Sequence, residues 1–132
     1  KVMASFAEFA ARLPEDGGDR RLLGTSGTVT TLASVYLKLN SYDRRAVDGL
    51  YLPTAAMREI SRELAGRTIE GRAEFPTIGH ERADLVVAGC AILEAIFDIW
   101  PGERLGVADR GIREGILRAL MASDAKRRNR RN

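Results

Sequence analysis

The sequence predicts an α/β domain, with helices packed on a small sheet. Three observations carry that prediction. Short extended segments alternate along the chain with segments of helical periodicity, the order expected when helices cover a sheet. Two extended segments, leading into "GTSGT" and "ADRG", run straight on into a helix, giving strand, turn and helix twice. And 132 residues, 45% hydrophobic and 30% charged, suffice for one buried core but not two.

The elements follow in order. Ser5 and Glu8 make a capping box that opens a helix over "SFAEFAARL", with Phe6, Phe9, Ala10 and Leu13 on one face. "PEDGGD" ends it. Arg20 to Thr25 reads as a short strand, and Thr28 to Leu39 as a helix burying Val29, Leu32, Ala33, Tyr36 and Leu37. In "YDRRAVDGLYLP", Val47 and Leu50 to Leu52 predict an extended piece stopped by Pro53, with Gly49 relaxing the backbone. Thr54 is expected to cap a helix from Ala55 to Ala65, closed by Gly66 in the left-handed region. "RTIEGRAEFPTIGH" reads as irregular surface chain.

From Glu81 to Trp100, apolar residues such as Val86, Cys90, Leu93 and Phe97 recur at helical spacing on more than one face. This predicts the central, most buried helix. "PGER" turns the chain. Leu105 to Ala108 reads as a strand buried on both sides, "DRG" as a turn, and Ile112 to Met121 as the last helix. Residues 1–122 thus form one domain, followed by a basic solvated tail over residues 123–132.

Composition narrows the function classes. No apolar run approaches the roughly 18 residues of a membrane span. The single cysteine, Cys90, lies in an apolar helical pattern, so a small buried hydrophobe and a reducing cytoplasm are expected. The net charge of +3 owes much to "KRRNRR", Lys126 to Arg131. Without interleaved aromatics or a second basic face, this run reads as a solvated tail and not a nucleic-acid arm. The chain starts at Lys1 with no signal-like segment, and is expected to be a piece of something longer.

Three stretches carry residues suited to chemistry. In "GTSGT", Gly24 and Gly27 permit close approach of a ligand, Thr25, Ser26 and Thr28 offer hydroxyls, and the amides opening the next helix are unpaired donors. Such a turn can bind phosphate or the ribose and phosphate of a nucleotide. It is not a P-loop, because no GK[ST] follows the glycines. The competing reading is structural: Ser26 or Thr28 caps the helix and the glycines make the turn. In "GVADRGIREG", Asp109 stands at the second strand-end turn, where it either caps the helix or orients a metal-bound water, and Gly111 can take a positive φ. Both turns are expected at the sheet edge where open α/β folds bind ligands. In "HERADLVVAG", Arg82 is placed to pair with Asp109 or Glu114, or to meet an anion. His80, the only histidine, has no second histidine or cysteine nearby and reads as a surface or capping residue. No nucleophile, base and orienting group assemble from local spacing.

"GTSGTVTTLA", "VDGLYL", "RADLVVAGCAIL" and "VADRGIREGIL", in this order over about Leu22 to Leu120, resemble the exopolyphosphatase and guanosine pentaphosphate phosphohydrolase family. The resemblance implies a ribonuclease H-like domain of the actin, sugar-kinase and Hsp70 type, of which this chain is the later part of the second domain. It also implies a bacterial, cytoplasmic hydrolase. Its substrate is polyphosphate or guanosine pentaphosphate in a cleft, with Mg²⁺ offsetting charge and a glutamate positioning water. That glutamate and the phosphate loops precede the matched region, so this chain is expected to be inactive alone, to pair with the rest of its own chain, and to belong to a possible homodimer. No membrane or nucleic-acid partner is implied. The ligand-side residues so implied are Gly24, Thr25, Ser26, Gly27 and Thr28, with Arg82 and Asp109 second. One departure is Ala108, where the family commonly has serine; its buried neighbours suggest a structural position. The rival reading is a non-catalytic nucleotide- or phosphate-binding module of the same fold.

Overall fold

The computed structural model describes residues 2–12 and 21–129. Among them, eight helices accompany one three-stranded sheet. In chain order the elements are α1 (Val2–Ala10), β1 (Leu22–Gly24), α2 (Gly27–Tyr36), α3 (Arg44–Val47), β2 (Tyr51–Pro53), α4 (Thr54–Gly66), α5 (Ile69–Ala73), α6 (Gly79–Arg82), α7 (Val86–Ile99), β3 (Arg104–Val107) and α8 (Ile112–Asn129).

β3 is the middle strand. β1 pairs with it in parallel, Leu22 opposite Leu105 and Gly24 opposite Val107. β2 pairs on its other edge, antiparallel, with Leu52 opposite Leu105. Leu105, Gly106 and Val107 are all buried, as a strand flanked on both edges and covered on both faces must be.

The most buried helix is α2, not α7. Six consecutive residues, Val29 to Ser34, are buried in it. Three are polar, so counting apolar residues undervalues this helix. The interior tolerates two of them because the helix satisfies their hydroxyls: Thr30 Oγ1 donates to Gly27 O at 3.1 Å and Ser34 Oγ to Thr30 O at 2.8 Å. α7 buries a single stripe of Val86, Cys90, Leu93 and Phe97, while Ile92 on another face is 45% exposed. Arg58 ties α4 to α7. It pairs with Glu94 and Asp98, and its guanidinium lies 5.4 Å from the centre of the Phe97 ring.

Several boundaries differ from those expected. α1 starts at Val2, so Ser5 lies inside the helix and does not cap it; Phe6 meets the Trp100 ring edge-on at 5.8 Å. Leu13 and "PEDGGD" fall outside the described residues. Where an extended piece was expected from Val47, the chain forms α3, whose cap is Asp43 accepting from Arg45 N at 2.8 Å. Gly49 does take a positive φ, +87°. Thr54 does not cap α4; it begins it, and its hydroxyl donates to Gly102 O. Gly66 and Gly111 are not in the left-handed region, and α4 ends instead with Arg67 in extended conformation.

The stretch expected to be irregular contains α5 and α6, held by Arg72, which donates to Leu64 O and Ala83 O at 2.7 and 3.2 Å. Helices of four and five residues are too short to write a periodicity. The last helix runs past Met121 to Asn129, so Lys126, Arg127 and Arg128 are its final turn. Cations there are favoured by the helix dipole. No helix among the described residues is long and apolar enough to cross a membrane.

Candidate functional site

The parallel pairing of β1 and β3 sets two turns side by side. Beyond Gly24 the chain enters "TSGT", and beyond Val107 it enters "ADRG"; Ala108 N donates to Gly24 O at 2.9 Å and stitches the two exits together. Ala108 thus serves through its backbone. This is the carboxyl edge of a parallel strand pair, the side on which such sheets take ligands.

At the first turn the glycines and hydroxyls have packing duties. A Cβ on Gly24 would lie 2.6 Å from Val29 Cγ2, so only glycine lets α2 turn back so tightly on its strand. Ser26 is the N-cap of α2, in extended conformation, its Oγ accepting from Val29 N at a long 3.4 Å. Thr28 is directed at α7, its Oγ1 only 2.2 Å from where a Cβ of Gly89 would stand. What remains for a ligand is the exposed Thr25, the exposed Gly27, and the outward amides of the first turn of α2. Arg82 joins them: its Nη1 lies 3.9 Å from the Cβ position of Gly27 and 3.5 Å from Thr31 Oγ1. Beside the turn lies a groove of about 310 Å³ whose lining includes Leu22, Ile92 and Ile96. Such apolar walls do not suit phosphate.

The second turn departs from expectation. Asp109 and Glu114 are not partners of Arg82; both are taken by Arg44 of α3, at 3.2 Å and 3.4 Å. Among the described residues Arg82 has no carboxylate partner and remains an available cation. Asp109 does not cap α8 either. That role belongs to Glu114, whose Oε2 accepts from Gly111 N at 2.9 Å. Instead the Asp109 carboxylate accepts from the Tyr42 hydroxyl at 2.5 Å, and Asp109 N donates to Asp48 Oδ1 at 3.0 Å. Arg110 Nε meets the other Asp48 oxygen at 3.0 Å.

These contacts set protonation. Burial, then the bond to Asp109, pushes Tyr42 up to about 12. The Asp109 amide and the Arg110 guanidinium hold Asp48 below its ordinary range, and backbone amides of Glu114 and Gly111, with Arg44, do the same for Glu114. Sequence reasoning missed Tyr42, Arg44 and Asp48. The available signal was Asp43, an N-cap residue, before "RRAV". His80 is exposed on α6. No group of three His, Cys, Asp or Glu side chains suited to a metal ion occurs among the described residues. With Asp109 already engaged by a hydroxyl and a guanidinium, this donor set does not fit Mg²⁺.

The sequence profile of the Ppx/GppA phosphatase family matches residues 2–124. The chain belongs to the Ppx/GppA phosphatase family. It is 30% identical over 77 residues to exopolyphosphatase 2 of Mycobacterium tuberculosis, covering 58% of this chain and 24% of that protein. To the guanosine-5'-triphosphate,3'-diphosphate pyrophosphatase of Pseudoalteromonas translucida it is 28% identical over 98 residues, 74% of this chain and 18% of the relative. The crystal structure of an Aquifex aeolicus Ppx/GppA phosphatase superposes with a TM-score of 0.76 at 26% identity, covering 88% of this chain and 37% of that one. The Ppx/GppA chain therefore spans a quarter or less of these curated relatives. Its fold is the α/β, actin-like fold of the family.

Proposed function

We propose that this chain forms one wall of the substrate cleft of a cytoplasmic phosphatase that hydrolyses terminal phosphoanhydride bonds of polyphosphate or guanosine pentaphosphate. The observation that carries this reading is the convergence of α2's outward amides, Thr25 and the unpaired Arg82 at the carboxyl edge of β1 and β3, in a chain of this family. Amides at a helix start and a guanidinium stabilise phosphate through charge-assisted hydrogen bonds. Gly24, Ser26 and Thr28 shape the turn, Gly27 leaves room for the ligand beside Arg82, and Asp109 stands on the neighbouring turn. The water-positioning glutamate and the ligands of Mg²⁺ belong to the rest of the protein.

The test is Arg82→Ala in the full-length enzyme. Loss of one charge-assisted contact should raise KM about tenfold or more, with kcat and Tm little changed. An unchanged KM for both substrates would remove this wall from the cleft. Tight substrate binding by the full-length protein without phosphate release would instead favour a non-catalytic binding module.

A further inference from the structure

Of the three buried hydroxyls on α2, two return to carbonyls of the same helix: Thr30 to Gly27 O and Ser34 to Thr30 O. The third does not. Thr31, only 4% exposed, accepts from Arg82 Nη1 at 3.5 Å. Valine has nearly the shape of threonine, so packing alone does not call for a hydroxyl here. What the hydroxyl adds is a hold on the guanidinium, from the helix whose start faces the ligand.

Arg82 needs such holds. It is exposed, and it ends α6, a helix of four residues. A helix so short cannot fix itself, so its place is set by what it packs on. Arg72 supplies the second hold. Its Nε donates to Leu64 O in the last turn of α4, and its Nη1 to Ala83 O, the residue that follows Arg82. Leu64 and Ala83 are fully buried, and α4 packs against α2. The planar fork of a guanidinium can reach both carbonyls at once. The geometry points to Thr31 and Arg72 as positioning residues for Arg82: Thr31 steadies the guanidinium, whose Nη1 lies 3.9 Å from the Cβ position of Gly27, and Arg72 anchors the backbone that carries it. This inference rests on the cleft reading above. A long side chain loses rotamer freedom when it meets a ligand, and one held in advance has less to lose.

The test measures KM and kcat for polyphosphate and guanosine pentaphosphate, together with Tm, in the full-length protein carrying Thr31→Val, Thr31→Ser, Arg72→Met or Arg82→Ala. Thr31→Val and Arg72→Met are each repeated on the Arg82→Ala background. Thr31→Val should raise KM about fivefold for both substrates, the worth of an ordinary hydrogen bond, with kcat and Tm held. Thr31→Ser, which keeps the acceptor, should retain the original KM. Arg72→Met should raise KM at least as much and also lower Tm, because two carbonyls lose a donor. Once Arg82 is alanine, neither substitution should raise KM further, since each acts through that side chain; the Tm loss of Arg72→Met should persist there. An unchanged KM in Thr31→Val or Arg72→Met, or increases that multiply with that of Arg82→Ala, would overturn the inference. The cleft reading then stands as long as Arg82→Ala raises KM. If Arg82→Ala moves neither KM, the cleft reading falls and this inference with it.

Discussion

At the residue scale, the small side chains of the "GTSGT" region are set by what packs against them. Gly89 is the clearest case: a Cβ there would meet Thr28 Oγ1 at 2.2 Å and Thr28 Cβ at 3.1 Å. The β-branched Thr28 has little room to yield, since its χ1 is restricted in a helix. Gly89→Ala should therefore overpack the α2–α7 contact and cost about 1–3 kcal/mol, read as a lower midpoint in urea. Gly89→Ala combined with Thr28→Ala should recover most of that loss. If the double variant were no more stable than the single one, the contact would not be the cause. The glycines of the site were legible as glycines, but their reason was not: Gly24 makes room for Val29 in addition to any ligand.

At the element scale, α2 ends in an unusual residue. Leu39 N donates to Ser34 O at 3.0 Å and Lys38 N to Val35 O at 2.9 Å, a Schellman closure with Lys38 in the left-handed position at φ +54°. A Cβ is disfavoured there, so Lys38→Gly should stabilise the fold by up to about 1 kcal/mol, once glycine's greater freedom in the unfolded chain is subtracted. Lower stability would mean that the lysine stem makes a contact worth more than the strain. The turn between β3 and α8 has its own signature, in acid. Asp48 is held below its ordinary 3.8 by the Asp109 amide and Arg110. Its contribution is thus complete above about 4 and disappears as pH falls through the lowered folded value. In Asp48→Asn the acid limb of a Tm-against-pH curve should flatten; an unchanged limb would assign it to other carboxylates. Both examples show where sequence reading runs out. α2 and α7 were legible because their apolar residues recur over enough length to show a period, and β1 and β3 because each runs into a glycine-containing turn before a helix. α3, α5 and α6 span four or five residues and are held by Asp43, Thr68 and Arg72, polar residues whose partners are set by tertiary structure. Arg82's place beside the first turn was legible only as one option among three, because its distance from Asp109 depends on where α3 inserts Arg44.

At the scale of the molecule, the question is what this chain can do by itself. Hydrolysis of a phosphoanhydride needs a positioned water and several charges that stabilise the transferring group. Around the two turns, Arg44 and Arg110 are engaged by Asp109, Glu114 and Asp48, which leaves Arg82 and Arg113 without a carboxylate partner among the described residues. At the second turn, Asp109 is already held through Oδ2 by a hydroxyl and a guanidinium, and Tyr42 keeps its proton up to about 12, so Tyr42 supplies no base for water. Helix amides and guanidiniums suit the holding of an anion, and neither supplies a base to activate water. The isolated chain should bind tripolyphosphate with a Kd on the order of millimolar, the affinity a few exposed charge-assisted bonds supply. That binding should weaken as salt rises and disappear in Arg82→Ala. It should release no phosphate with or without Mg²⁺, whereas the full-length protein should release it. Turnover by the isolated chain would show that its own residues orient water, and binding that survived both salt and Arg82→Ala would move the anion site away from α2.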